Sequence, residues 1–288
     1  MSQLFIFGLG YTAIRIADRL KQTSWRVFGT TRTAEKIPRL QRHGVEAVLY
    51  PSSQPFEQLQ GLVWATHILS TIPPDTENDP LLAQHAAAMA KLCPKLKWLG
   101  YVSSSAVYGD RDGAWVDENT PCYLASAAGE TRIRAEKQWL ALPQPAHIFR
   151  MAGLYGPGRN VLTELRAGTA QRVDKPGHVF NRIHVDDMAQ TVLASIKQPF
   201  PGKIYNVTDD EPSSRADVVA YGAELLGMAP PPLVPYAQAQ LSPQMRVFYE
   251  ECKRVKNDRI KQELGVKLQY PTYREGLRQL LADEKAKL

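Results

Sequence analysis

The sequence predicts an α/β protein, a doubly wound parallel sheet with a smaller α+β lobe toward the C-terminus. Three features carry that expectation. A glycine turn at residues 8–10 joins an apolar run to a helical pattern. Short apolar runs then alternate with helix-period segments as far as residue 150, and the alternation loosens beyond Gly153.

The elements follow in order. Residues 3–9 are a short apolar run through Gly8, and Ala13, Ile14, Ile16, Ala17 and Leu20 repeat at helical spacing before the apolar run Trp25–Gly29. Strands are expected again at Glu46–Tyr50 and His67–Ile72, an amphipathic helix at Leu81–Leu92, and a strand at Trp98–Ser103. A helix from about Ala127 to Leu142 leads to the buried-strand composition of Ala146–Arg150. Farther on, Gly156-Pro157-Gly158 is a turn, a short strand precedes Asp186-Asp187 with a helix after it, Ile204–Val207 reads as a strand, and Pro230-Pro231-Pro232 is a rigid loop. This gives about seven strands. A sheet domain is expected over 1–155 and a substrate lobe over 156–288, with part of 176–198 returning to the sheet domain. No repeat of solenoid period is evident.

The 288 residues carry 35 Lys+Arg against 29 Asp+Glu, with 44% hydrophobic and 22% charged residues, which excludes disordered and collagen-like chains. No apolar run approaches the roughly 18 residues of a spanning helix, and no basic n-region precedes the first apolar run. A soluble cytoplasmic protein with no membrane partner is the expectation. Cys93, Cys122 and Cys252 are odd in number and far apart, so reduced thiols fit better than a disulfide framework or a tetrahedral metal site. The basic stretch Lys253–Lys261 fits a solvated helix face, and no nucleic-acid motif accompanies it. The six histidines form no H-x-x-x-H pair, so no metal is expected. Hydrolase elbows of G-x-S-x-G type and phosphate loops ending in Gly-Lys are missing too. Asp186-Asp187 suits a helix N-cap better than paired acid/base work.

Gly8-Leu9-Gly10-Tyr11-Thr12-Ala13 matches the G-x-G-x-x-G/A fingerprint, and it lies between a strand and a helix, where the pattern has meaning. Gly8 permits the tight turn, Gly10 lets a pyrophosphate approach the backbone, and Ala13 lets the helix pack close to the strand. The helix N-terminus then faces the phosphates. This predicts a Rossmann domain that binds a dinucleotide. An NAD-selective site would set an acid at the end of the second strand, where this chain has Gly29-Thr30-Thr31-Arg32-Thr33. Thr31 and Arg32 suit a 2′-phosphate, with Lys36 one turn on, so NADP(H) is preferred and NAD(H) is second. Arg32 also fits an ordinary surface cation after a strand.

Nearly the whole chain resembles the extended and atypical short-chain dehydrogenases/reductases, the NAD-dependent epimerase/dehydratase-like family. The resemblance rests on the Gly8 fingerprint, Leu69–Pro73, Val102–Gly109, Arg150–Gly158 and Arg182–Asp187. It is closest to the bacterial, nucleotide-sugar-epimerase-like subgroup, and the tail around Lys253-Arg254-Val255 and Tyr270-Pro271 fits there too. It implies that Ser104, with Ser103 beside it, contacts substrate or nicotinamide, and that Ser70 and Thr71 line the cofactor ribose. Ile72 and Pro73 would touch the nicotinamide side. Arg150–Gly158, including Met151 and Gly153, would pass beside the ring. Ser105, Tyr155, Arg159, Arg182 and His184 would face an anionic substrate such as a nucleotide-sugar diphosphate.

The family's Tyr-x-x-x-Lys pair is where this chain departs from the pattern. Setting Arg134-Ala135-Glu136 on the family's Ala-x-Glu puts Arg132 at the lysine and Ala128 at the tyrosine. Arg132 can hold a ribose hydroxyl, but alanine moves no proton. Tyr108, Tyr123, Tyr155 and His184 are the substitutes in reach of the motif, with Ser104, Tyr108 and Arg132 taken as the catalytic set. The resulting expectation is an NADP(H)-dependent oxidoreductase or epimerase-like enzyme. It would act on a small carbonyl or alcohol, nucleotide sugars included, with a non-standard proton donor, as a monomer or homodimer. The alternative is a catalytically silent NADP(H)-binding redox sensor, which the alanine at 128 favours.

Overall fold

The computed structural model describes residues 2–51, 56–123, 127–197 and 200–286, with the side chains of 57, 128 and 244 outside that description. The described strands are β1 Gln3–Phe7, β2 Arg26–Thr31, β3 Val45–Leu49, β4 His67–Ser70, β5 Trp98–Ser104, β6 Trp115–Val116, β7 His147–Met151, β8 Gly153–Tyr155, β9 Arg172–Asp174, β10 Arg182–His184, β11 Ile204–Val207, β12 Leu233–Pro235 and β13 Arg254–Val255. The helices are α1 Tyr11–Leu20, α2 Ile37–Arg42, α3 Pro80–Leu92, α4 Ala127–Leu140, α5 Val161–Arg166, α6 Val185–Ile196, α7 Arg215–Leu225, α8 Pro243–Glu250, α9 Asp258–Leu264 and α10 Tyr273–Lys285.

Seven strands form one parallel sheet in the order β11-β7-β5-β4-β1-β2-β3. The direction of winding reverses between β1 and β4, which pair from Leu4↔His67 to Phe7↔Ser70, so their carboxyl ends open a crevice. Successive side chains of a strand point to opposite faces. Accordingly Leu4 and Ile6 join one core with α1, α6 and α9, while Phe5 and Phe7 join a second with α3 and α4. Helices on both faces explain why β1 is apolar at almost every position rather than at alternate ones.

The return of the C-terminal half to the sheet domain extends past 176–198. Strand β11 is the edge strand beside β7, and Ile260 and Leu264 of α9 sit in the same core as α1. The lobe is built on a cluster of Tyr155, Leu162, Val219, Tyr273 and Leu277 from β8, α5, α7 and α10. The Lys253–Lys261 stretch is not a uniform solvated face. Lys253 is buried, donating to Gly109 O and Glu251, and β13 pairs with β6. Among the described residues no helix is long and apolar enough to cross a membrane.

Most helix starts are closed by side chains. Asp79 accepts from Leu81 N and Leu82 N at α3, Asn160 caps α5, Ser214 caps α7, and Thr272 with Glu275 forms a capping box at α10. Helix α1 differs: Gly10 supplies no side-chain cap and its first turn holds no acid.

Candidate functional site

The site begins at the glycine turn. Gly8 has φ +90°, a conformation that L side chains rarely adopt, and a Cβ there would meet Thr71 Oγ1 at 3.0 Å and Ile72 at 3.1 Å. The turn is braced from two sides. Gly8 N donates to Thr30 Oγ1 at 2.9 Å, Leu9 N to Thr30 O at 2.8 Å, and Thr71 Oγ1 to Gly8 O at 2.5 Å. Ala13 is fully buried against the sheet, so α1 starts close to the turn. Gly10 is exposed, and a Cβ built on it meets nothing within 4 Å. Beside that open space the α1 N-terminus keeps its first amides free of side-chain caps, and Tyr11 and Thr12 flank it half-buried. A diphosphate fits this geometry: an uncrowded cradle, backbone donors and the positive end of a helix.

At the end of β2, Thr31 is buried, and its Oγ1 accepts from Thr33 N at 3.3 Å, shaping the bend. Arg32 is exposed and makes no ion pair among the described residues.

On the nicotinamide side the structure corrects several expectations. Ser70 is fully buried at the end of β4, so its hydroxyl does not reach a ribose. Thr71 is turned to Phe7 O and Gly8 O and supports the glycine turn. Met151 is buried in the core under α1 and α6, which leaves only its backbone near the crevice. Ser103 points beneath α4, donating to Glu136 Oε1 at 2.6 Å. Ser104, on the opposite pleat, is half-buried and accepts from Ala106 N at 3.2 Å, with Ser105 half-buried after it. Arg132 donates to Val102 O at 3.0 Å, which sets its guanidinium at the end of β5. Gly153 is exposed at the start of β8.

Tyr108 is no proton carrier in this arrangement. It is completely buried, its hydroxyl donates to Asn206 Oδ1 at 2.7 Å and accepts from Arg150 Nη1 at 3.0 Å, and burial pushes it up to about 12. It belongs to a buried chain of polar groups that the sequence reading missed. Arg150 meets Glu136 through Nε at 3.2 Å and Nη2 at 2.8 Å, and Nη2 also reaches Cys122 Sγ at 3.1 Å. One signal was present. Arg150 lies within a strand that is buried at every position, and a buried guanidinium requires a buried counter-charge, which Glu136 supplies from α4.

The substrate side is corrected in the same way. Tyr155 is buried in the lobe core and its hydroxyl donates to Thr272 O at 3.4 Å. His184 is buried as the N-cap of α6, its Nδ1 accepting from Asp186 N at 3.2 Å. It packs on Tyr270 and Tyr155, and burial pulls it down to about 4, so it stays neutral and structural. Arg182 donates to Phe180 O and Ser213 O, so its guanidinium braces the lobe. Arg159 is exposed with its Cζ 5.9 Å from the Tyr11 ring centre, at the glycine turn rather than deep in the lobe. Tyr123 is 54% exposed, its ring facing the Arg111 guanidinium at 5.4 Å. Of the four substitutes for the missing tyrosine, only Tyr123 keeps an exposed ring.

A seven-stranded doubly wound sheet with an uncapped helix behind a glycine turn at its switch point defines the class of Rossmann dinucleotide-binding folds. No family model matches the chain. Protein YeeZ of Escherichia coli strain K12 is 26% identical over 282 residues, 94% of this chain and 97% of that protein. A functionally unknown conserved protein from Silicibacter pomeroyi is 47% identical with a TM-score of 0.92, over 99% of this chain and 100% of that one. A structure described as a candidate NAD-dependent epimerase/dehydratase from Methylobacillus flagellatus is 26% identical with a TM-score of 0.74, over 99% of both chains. A human epimerase family protein solved with NADPH shares the fold at a TM-score of 0.74 and 16% identity, over 98% of this chain and 99% of that one. The chain belongs to the family of the Silicibacter protein, and the structures it resembles include one described as epimerase/dehydratase-like and, in fold, a human epimerase family protein.

Proposed function

We propose that the chain is an NAD(P)-dependent enzyme of the epimerase/dehydratase-like or reductase type, with NADP(H) preferred. The observation that carries the cofactor reading is the Gly10 cradle, open to 4 Å beside an uncapped helix start. Arg32, exposed and without an ion pair among the described residues, supports selection of the 2′-phosphate, and Gly8, Leu9 and Ala13 set the turn. Bound there, the nicotinamide would supply hydride chemistry. The chain's own groups would then bind and orient. The half-buried Ser104 hydroxyl can hold a substrate oxygen at the end of β5, and Arg132 supplies positive charge beside it. The substrate this supports is a small carbonyl or alcohol, nucleotide sugars among them.

A second reading, an NADP(H)-binding redox sensor, is favoured by the burial of Tyr108, Tyr155 and His184, which withdraws three proton carriers at once. Fluorescence titration with NADPH and NADH tests the cofactor reading, and tighter NADPH binding is expected. Binding of neither cofactor overturns it. Absorbance change of bound NADPH against sugars, nucleotide sugars and aldehydes then separates enzyme from sensor, since a single turnover above background excludes the pure sensor.

A further inference from the structure

We propose that Arg159 is a cofactor-binding residue that closes over the diphosphate bridge of the dinucleotide from the lobe side of the crevice. The inference rests on the dinucleotide reading above and replaces the expectation that Arg159 meets substrate.

Position comes first. The Gly156–Arg159 turn is closed on itself, Gly156 N donating to Arg159 O at 2.9 Å and Arg159 N to Gly156 O at 3.0 Å. The turn is docked on α1, because the Tyr11 hydroxyl donates to Pro157 O at 3.3 Å. A Cβ on Gly156 would lie 2.6 Å from that hydroxyl, so this close approach depends on glycine. Tyr11 directly follows Gly10, and the Arg159 guanidinium lies 5.9 Å from its ring centre. The cation is thus held over the first residue of the helix that faces the phosphates.

Charge points the same way. Arg159 is exposed, and among the described residues its side chain makes neither an ion pair nor a hydrogen bond. The first turn of α1 contains no acid that could neutralise it. A positive helix end, amides without side-chain caps and an arginine with no ion pair among the described residues thus lie around Gly10 and Tyr11, where a Cβ built on Gly10 meets nothing within 4 Å. An arginine fork presents parallel N–H groups to phosphate oxygens, so the chemical class that completes this arrangement is a diphosphate. The arginine comes from the segment that leads into the lobe, so a bound dinucleotide would bridge the glycine turn and the lobe.

Arg159→Ala is compared with wild type in fluorescence titrations with NADPH and NADH, and in competition with ADP-ribose and with 2′-AMP, which lacks the diphosphate. Affinity for NADPH, NADH and ADP-ribose is expected to fall alike, by roughly tenfold to a hundredfold, while 2′-AMP is unchanged. Arg159→Lys should recover part of the loss. Equal binding by Arg159→Ala and wild type overturns this proposal and leaves the dinucleotide reading standing, and so does a loss confined to NADPH. Binding of neither nucleotide by the wild type overturns both.

Discussion

The two ends of the candidate crevice are built in opposite ways. Around Gly8–Ala13 and Arg32, polar groups are left open: backbone amides without side-chain caps, a glycine with open space at its Cβ position, an exposed guanidinium with no ion pair among the described residues. Around Ser103, Tyr108, Glu136 and Arg150 the hydroxyls and the guanidinium meet acceptors inside the protein, with the buried Asn206 Nδ2 left without one among the described residues. The first region is made to receive something, and the second is made to hold the carboxyl ends of β5 and β7 together. A family pattern that places chemistry in the second region therefore meets a scaffold there, with Ser104 and Arg132 at its rim.

The sharpest test of that contrast is Glu136→Ala, which leaves Arg150 buried without a counter-charge. Removing one partner of a buried pair costs about 3–5 kcal/mol, because the remaining charge stays desolvated. Denaturant unfolding should show a loss of that size, with NADPH affinity changed little at the distant glycine turn. A loss under about 1 kcal/mol would mean the pair is wet and the region less sealed than described.

At the open end the reverse is expected. Gly10→Leu adds a side chain at a position where a Cβ meets nothing within 4 Å beyond its own chain neighbours and helix backbone, on a backbone at φ −97° that any residue adopts. Stability should hold, while NADPH affinity drops at least a hundredfold because the side chain takes the place of the phosphates. Thermal melts paired with fluorescence titration check both halves. Retained binding with an unchanged melt would remove the cradle from the site.

What was legible in the sequence follows the same division. The seven sheet strands and the glycine turn are local patterns, and the structure has a sheet of seven strands in those places. Side-chain partnerships between distant segments are not local. Nothing near Tyr108 in the sequence announces Asn206, and nothing near His184 announces its packing on Tyr270. Motif position alone put Tyr108, Tyr155, Ser70 and His184 in the site, yet all four are buried: Tyr108 among Val116, Ile133 and Val255, Tyr155 in the lobe core, and His184 against Tyr270. Arg159 shows the opposite failure, since the turn that carries it docks on Tyr11, 148 positions away along the chain.

Arg32→Ala separates the two cofactors. The exposed guanidinium is expected to serve only the 2′-phosphate, so NADPH affinity should fall roughly tenfold to a hundredfold while NADH affinity stays near the wild-type value. Parallel titrations decide it. Equal losses would move Arg32 from the 2′-phosphate to a group both cofactors share, and the selectivity argument would go with it.

The smallest effect concerns His184, read from its motif as a substrate contact and found as a buried cap. Burial is the main reason it titrates at about 4 instead of 6.5, with Asp186 pulling it upward and Arg15 downward. The sign follows directly. Between those two values the unfolded chain binds a proton that the folded chain refuses, so stability falls as pH drops from about 6.5 toward 4 and is unaffected above. His67, His147 and His178 titrate at about 4 as well, so wild-type acid sensitivity alone cannot be assigned to one ring. His184→Asn keeps a capping oxygen for α6 and removes the titrating group. The slope of unfolding free energy against pH in that window should shrink by up to about 1.4 kcal/mol per pH unit, one proton's worth. An unchanged slope would mean that His184 titrates alike in the folded and unfolded chains, so that burial does not hold it neutral.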